Sequence, residues 1–250
     1  PRRCLGATLV WSDAAMHNQV RDFTDTRTWT VHRLLFHLMA RGAPVQSTVR
    51  VDHLDAASGA LLVLNPHLFP AEELESVLSY EGGPIVAIGR AEAALPPTDY
   101  QFEDVYPPHQ LCCRVYGARP AAMPHSERDG EEQWPEDVMD LPEPTGYWDH
   151  FTFRHVSESF LRACADTITA VTRAFTVLDE GDAVTVMMAE QDEGRLRVAF
   201  KNKTPVYVRP RVDVGRPIEK VDILTEYPSL LVRPEGSTFS VRVPGWGITV

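Results

Sequence analysis

Apolar residues in the first ninety positions alternate between short continuous runs and helical spacing. Four runs, CLGATLVW, VQSTVRV, ALLVLN and PIVAIG, are typical of buried parallel strands. Between them, apolar residues three and four positions apart predict two helices, one within TWTVHRLLFHLMARG and one that starts at Pro70 and stops at Gly82 and Gly83. Strands that alternate with helices predict a parallel sheet with right-handed crossovers. We therefore expect a flavodoxin-like α/β layer.

The second half of the chain changes from helical to strand-like spacing. LCCRVYG predicts one further strand, and SESFLRACADTITAVTRAF predicts a long amphipathic helix. After Gly181, about seven short runs predict a small antiparallel β-sandwich: AVTVMMA, RLRVAFKN, VYVRPRVDV, KVDIL, SLLV, TFSVRV and WGITV. The pattern therefore predicts an α/β domain over residues 1–178 and a β-sandwich domain over residues 179–250.

Negative charge is concentrated in one proline-rich segment, at about residues 96–150. This segment holds twelve Asp and Glu against three Arg, a net charge of −9 out of −11 for the whole chain, together with nine prolines. Such a composition is typical of a solvated insertion. The alternative is an ordered loop over a neighbouring site, to which Trp134, Tyr147 and Trp148 would contribute contact area.

Charge, apolar runs and cysteine content argue against several function classes. The net charge of −11 and the pI near 5.3 argue against nucleic acid and anionic membrane surfaces as partners. Every apolar run is too short for a membrane span, and no secretory leader opens the sequence. Four Cys without a CxxC pair, and no His at ligand spacing, indicate a cytoplasmic protein without a metal or other cofactor. Because the sequence starts without Met, we expect it to be part of a longer protein, whose preceding segment could carry a leader.

The candidate site is the carboxyl edge of the predicted parallel sheet, where open α/β sheets bind their ligands. The polar side chains expected at this crevice are Ser12, Asp13, Asn65, His67 and Arg90. A nucleophile elbow needs Ser or Cys at the sharp turn after a strand, but PIVAIG is followed by RAEAAL. His67 is a candidate base, although a loop histidine beside a proline is more often structural. The sequence therefore assigns no catalytic residue.

The order of these elements resembles a known family. The runs HRLLFHLMARGAPV and LDAASGALLVLNPHLFPAEELESVLSYEGGPIVAIG are similar to the trimerisation domain of bacterial β-galactosidases, which has a class-I glutamine-amidotransferase-like α/β fold. The tail, from LRVAFKNKTPVYVRPRVDV to TFSVRVPGWGITV, resembles the small β-sandwich that closes many glycosidases. The resemblance covers Cys4 to Gly89 and Ala183 to Val250, and the acidic insertion departs from it.

The resemblance implies a non-catalytic C-terminal region of a carbohydrate-active enzyme, a glycoside hydrolase or phosphorylase, that serves oligomerisation and walls the active site. The expected partners are the catalytic barrel of the parent chain, further copies of this chain, and a carbohydrate. Trp134, Trp148 and Asp149 are the candidates for contact with substrate, because aromatic faces and carboxylates suit sugar rings and hydroxyls. Two alternatives stay open: a free-standing enzyme of the same superfold, and a carbohydrate-binding or scaffold module.

Overall fold

The computed structural model shows a mixed α/β chain with a six-stranded sheet and two small antiparallel sheets. It describes residues 3–104, 111–119, 156–172, 175–191, 194–225 and 232–250. The helices in these ranges are α1 (Asp13–Thr26), α2 (Val31–Ala40), α3 (Ala71–Leu78) and α4 (Glu158–Thr172). The strands are β1 (Arg3–Leu5), β2 (Ala7–Trp11), β3 (Val45–Arg50), β4 (Leu61–Leu64), β5 (Ile85–Arg90), β6 (Tyr100–Glu103), β7 (Leu111–Tyr116), β8 (Thr176–Asp179), β9 (Val184–Glu190), β10 (Leu196–Asn202), β11 (Arg211–Asp213), β12 (Thr238–Ser240) and β13 (Ile248–Thr249). Short 3₁₀ turns follow β3, β4 and β8, at Val51–Ala56, Pro66–Leu68 and Gly181–Ala183.

The six-stranded sheet has the order β3, β2, β4, β5, β7, β6. Its first four strands are parallel, as predicted, and β7 and β6 add an antiparallel edge. The chain passes from β2 outward to β3 and then back to β4 on the other side of β2. The carboxyl ends of β2 and β4 therefore meet at a topological switch point, where open sheets form ligand crevices. The flavodoxin-like and amidotransferase-like identity of this layer stays a prediction.

Helices cover both faces of this sheet because its central strands are buried on both sides. Leu62 and Leu64 face the core that holds α2 and α4, whereas Leu61 and Val63 face the core that holds α3. Side chains of β5 alternate between the two cores in the same way. Helices α2 and α4 lie where the apolar spacing predicted them, so the three-layer arrangement follows from the pattern.

Helix α1 occupies the polar stretch after the first apolar run, where the apolar pattern indicated no helix. Ser12 caps its N-terminus, because its hydroxyl oxygen accepts a hydrogen bond from the backbone N–H of Ala15 at 2.9 Å. Only Ala15 and Gln19 are buried among its fourteen residues. A helix with so narrow a buried face gives little apolar periodicity, which explains why the pattern did not reveal it.

The run CLGATLVW is not the single strand that its apolar character predicted. Gly6 separates β1 from β2 and has a φ of 149°, a backbone conformation that favours glycine. β2 joins the parallel sheet, whereas β1 pairs antiparallel with β9, far along the chain in its second half. The first strand of the chain therefore belongs to one of the small antiparallel sheets.

Two antiparallel sheets, of the orders β1, β9, β10, β13 and β12, β11, β8, share one hydrophobic core. Met188 and Phe200 come from the first sheet, and Val212 and Phe239 come from the second. The predicted runs AVTVMMA, RLRVAFKN, TFSVRV and WGITV contribute β9, β10, β12 and β13, and VYVRPRVDV contributes only β11. The expected strand KVDIL does not form, most of SLLV lies outside the described residues, and β8 was not predicted. The domain boundary at residue 178 stays a prediction.

The described helices are short or polar by the standard of membrane spans. None of those in the ranges given above combines the length and the apolar character that a bilayer requires.

Candidate functional site at the carboxyl edge of the sheet

Helix α1 lies across the carboxyl ends of the parallel strands. It starts directly after β2, and the side chain of Asn18 donates to the backbone oxygen of Leu68, in the turn that follows β4, at 2.8 Å. One helical turn later, Asp22 reaches His67 after β4 and Arg90 at the end of β5. The helix thus contributes side chains to the crevice at this edge.

Asp22 contacts two side chains, His67 in the turn after β4 and Arg90 at the end of β5. Its carboxylate lies 3.4 Å from Nε2 of His67 and 3.1 Å from Nη1 of Arg90. All three side chains are largely buried, with 12% of Asp22, 13% of His67 and 19% of Arg90 exposed. Burial raises the pKa of Asp22, but the close approach of the His67 ring and the charge of Arg90 outweigh burial, so the pKa lies below its usual value. Asp22 is therefore ionised at neutral pH and fixes both partners.

Asn65 shapes the turn after β4. Its backbone is left-handed, with φ 53° and ψ 57°, and its backbone N–H donates to the oxygen of Ile88 at 2.7 Å. Its Nδ2 donates to the backbone oxygen of Trp29 at 2.7 Å, which ties the turn to the start of α2. A Cβ on Gly89 would lie 2.5 Å from Cδ of Pro66, so β5 approaches this turn more closely than any other residue type allows.

Ser12 and Asp13 point away from this group. The hydroxyl of Ser12 donates to Glu73 on α3, and Asp13 pairs with exposed Arg50 at 3.1 Å. The structure therefore does not bring the five predicted crevice residues together in one site. Asn65, His67 and Arg90 share one cluster, whereas Ser12 and Asp13 serve the contacts of α1 with its neighbours.

Two residues of this region were missed at the level of sequence. Asp22 lies in the polar stretch that was not recognised as helix, although Asn18 and Asp22 share a helical face once α1 is assigned. Arg27, directly after α1, is only 3% exposed, and its Nε and Nη2 are buried without a hydrogen bond in the part of the chain described. No local pattern distinguishes this arginine from an exposed one.

The site offers a base and no activated nucleophile among the described residues. Asp22 and His67 form a carboxylate–imidazole pair, the arrangement that orients a general base. The thiols of Cys112, Cys113 and Cys164 are all buried. Burial, outweighing the nearby charge of Arg114, raises the pKa of Cys112 to about 12, and burial with the neighbouring Cys113 raises the pKa of Cys164. Such thiols are chemically inert at neutral pH.

Comparison with known proteins leaves the family open. No protein-family model matches the sequence, and no curated protein matches it. Among solved structures, the chain is similar to alpha-L-fucosidase isoenzyme 2 from Paenibacillus thiaminolyticus, at 9% sequence identity and a TM-score of 0.48. The match covers 99% of this chain and 48% of the fucosidase, so the chain spans about half the length of that protein. A TM-score below 0.5 does not establish a common fold.

The predicted substrate contacts Trp134, Trp148 and Asp149 lie outside the described residues. Within the ranges that are described, no three His, Cys, Asp or Glu side chains gather as metal ligands would.

Proposed function

We propose that this chain is a non-catalytic accessory region of a carbohydrate-active enzyme. This region supports oligomerisation and forms part of the wall of the active site of its parent protein. The observation that carries the proposal concerns the carboxyl edge of the six-stranded sheet. Helix α1 and internal ion pairs occupy this edge, which is where α/β enzymes hold their reacting groups.

The residue after the β5 glycine supports a role without chemistry. A nucleophile at this turn would need a free hydroxyl or thiol beside a base. Arg90 stands there instead, and its guanidinium pairs with Asp22 and Glu92. The hydroxyl of Ser12, which points away from Arg90, donates to Glu73 and accepts from the backbone N–H of Ala15. These groups hold the fold together, which is what a domain that keeps its architecture without its chemistry requires.

The link to carbohydrate rests on the resemblance of sequence patterns and on the order of elements. The parallel strands β2 to β5 precede the acidic segment, the segment itself contains β6 and β7 of the same sheet, and every strand of the small antiparallel sheets except β1 follows it. This is the order expected of the accessory region of β-galactosidase-like enzymes. The catalytic barrel, the sugar and the partner copies are parts of the proposal.

The first test is the solution mass of the 28.0 kDa chain by light scattering over a concentration series. A stable dimer or trimer is expected, and a strict monomer at every concentration would contradict the assembly role. In parallel, the isolated chain is expected to release no nitrophenol from a panel of nitrophenyl glycosides. Release that disappears in His67→Asn would contradict the non-catalytic role.

The wall role is tested in the parent protein by replacing one aromatic residue of the acidic segment. Trp148→Ala is expected to raise KM with kcat unchanged, because a contact made equally in ground and transition states contributes only to binding. The matched control is Phe36→Ala, since Phe36 is 69% exposed on α2. Equal KM values for the wild type and Trp148→Ala would remove this residue from the site.

The pair of Asp22 and His67 favours one second candidate, a free-standing enzyme whose general base is His67. This candidate expects activity in the isolated chain that depends on His67. The glycoside panel with His67→Asn separates the two candidates.

A further inference from the structure

Trp246 is an exposed aromatic residue with a backbone conformation that bulky residues avoid. Its φ is 54°, in the left-handed region, and the residue is 67% exposed. This conformation is strained for a bulky side chain, and an exposed indole gains little burial that would offset the strain. Because strained residues cluster at binding sites, Trp246 is a candidate for contact with a ligand.

Hydrogen bonds fix the turn that carries Trp246. The backbone N–H of Trp246 donates to the oxygen of Thr204 at 2.8 Å, which joins this turn to the one that follows β10. The side chain of Asn202 is fully buried between the two turns, and its Nδ2 donates to the backbone oxygens of Val206 at 2.7 Å and Pro244 at 3.0 Å. The indole is therefore carried by a well-braced support, so a ligand would bind it without the cost of ordering a loop.

Tyr207 and Arg242 form a second exposed group beside this turn. The guanidinium carbon of Arg242 lies 4.0 Å from the centre of the Tyr207 ring, and Tyr207 is 50% exposed. Val208 pairs with Val243 in an antiparallel bridge. At about 3.3 Å per residue and about 5 Å between paired strands, this register places the Cα atoms of Tyr207 and Trp246 within about 10 Å of each other. Trp246, Tyr207 and Arg242 are called the aromatic platform below.

The size of the aromatic platform favours a small ring-shaped ligand over a protein partner. Aromatic side chains have about 150–250 Å² of surface each, so exposures of 67% for Trp246 and 50% for Tyr207 leave about 200–300 Å² open to solvent. Val206 and Ile248 are exposed nearby along the chain, but the total stays well below the about 800 Å² that each partner of a specific protein interface buries. A pyranose ring has an apolar face of C–H groups and hydroxyls at its edge, which suit an indole face and a guanidinium.

We infer that the aromatic platform binds a carbohydrate, as a pyranose ring of an oligosaccharide or polysaccharide. The sugar ring stacks on the exposed indole of Trp246, and its hydroxyls accept from the N–H donors of Arg242 beside Tyr207. The inference rests on the proposed link of this chain to carbohydrate, but it is independent of the assembly and wall roles. It requires no reacting group, because stacking and hydrogen bonds hold a sugar without chemistry.

The first experiment measures retention of the wild-type chain in native gels that contain galactan, xylan, mannan or laminarin, one polysaccharide per gel. At least one polysaccharide is expected to slow the chain relative to a reference protein that binds no sugar. Free oligosaccharide of the same sugar is expected to restore the mobility. Retention by none of the four would overturn the inference. The solution mass is measured separately, so a retained monomer would contradict the assembly role and support the platform.

The second experiment compares variants of Trp246 on the polysaccharide that retains the wild type. Trp246→Asn removes the indole and keeps a residue that tolerates the left-handed backbone, and it is expected to weaken binding by about tenfold or more. Trp246→Phe keeps an aromatic face and is expected to weaken binding less. Phe36→Ala is the matched control, since Phe36 is 69% exposed on α2, and its retention is expected to be unchanged. Unchanged retention in Trp246→Asn would place the bound glycan elsewhere and overturn the inference.

Trp246→Gly separates a role in binding from a role in the fold. Glycine adopts a φ of 54° without strain, so the midpoint of urea denaturation is expected to stay unchanged or to rise while retention is lost. This combination would show that the indole is kept for its ligand and not for stability. A lower midpoint in Trp246→Gly would assign the indole to the fold and overturn the inference.

Discussion

Replacing Asp22 by Asn tests whether the carboxyl edge is held together by charge. The substitution keeps the shape of the side chain and removes the anion that faces His67 and Arg90. At the 3.1 Å separation from Arg90, two unit charges attract by about 5 kcal/mol at an effective dielectric constant of about 20. Most of this attraction offsets the desolvation of the two groups.

The net loss of stability in Asp22→Asn should be smaller than the loss on removing one partner of a fully buried ion pair, which costs about 3–5 kcal/mol. The side chains of Asp22 and Arg90 are 12% and 19% exposed, so neither is fully buried. In the variant, Glu92 still pairs with Arg90. We therefore expect Asp22→Asn to lower the free energy of unfolding by about 2–3 kcal/mol at pH 7. Asp25→Asn is the control, because the Asp25 side chain is 62% exposed and lies 3.8 Å from exposed Arg21, and its effect should stay below about 0.5 kcal/mol.

The lowered pKa of Asp22 determines how the stability difference changes with pH. Because the pKa of Asp22 is lower in the folded state than in the unfolded state, its stabilisation is fully present above the unfolded value, which is about 3.9. The stabilisation is lost as the pH falls through the folded-state pKa. The difference between the wild type and Asp22→Asn should therefore shrink below about pH 4.

The assay is urea denaturation from pH 7 to pH 3, followed by circular dichroism and by tryptophan fluorescence. Coincident transitions support a two-state analysis. The reasoning is refuted if Asp22→Asn is as stable as Asp25→Asn at pH 7. It is equally refuted if the difference persists unchanged below pH 4.

Two further predictions concern packing and thiol chemistry. Gly89→Ala should destabilise the chain by about 1–3 kcal/mol, because its Cβ would lie 2.5 Å from a proline ring and 3.1 Å from a Cα. Gly181→Ala, with its nearest neighbour at 3.6 Å, should change the free energy of unfolding by less than about 0.5 kcal/mol in the same denaturation assay. Iodoacetamide at pH 8 should leave Cys112, Cys113 and Cys164 unlabelled in the folded chain and label them in urea, as peptide mass spectrometry would record. Labelling of Cys112 in the folded chain would contradict its raised pKa of about 12.

Local patterns predicted the elements whose burial is one-sided or complete. Strand β4 is entirely buried, and α2 buries Val31, Leu34 and Leu38 at helical spacing, so both gave a clear apolar signal. The parallel order followed because strands alternate with helices. β8 gave no comparable signal, since its residues are mostly exposed and it directly follows a strong helix.

The sequence predicted where the candidate site lies, but not which contacts its residues make. Asn65, His67 and Arg90 could be placed at the carboxyl edge because each follows or ends a recognised strand. Asp22 acquires its role through contacts with residues 45 and 68 positions away, and no local pattern encodes such contacts. The missing partner of Arg27 is a property of its three-dimensional surroundings, so composition and spacing could not reveal it.

The position of β1 determines how the chain would respond to mechanical force. β1 and β13 are the two edge strands of one four-stranded sheet, and the whole six-stranded sheet lies between β1 and β8 along the chain. A pulling force applied through residues 3 and 249 therefore acts first on the hydrogen bonds that join β1 to β9 and β10 to β13. While β1 stays paired, the shortest load path runs through this sheet and bypasses the α/β layer. Its unfolding under load should follow the detachment of β1 and never precede it.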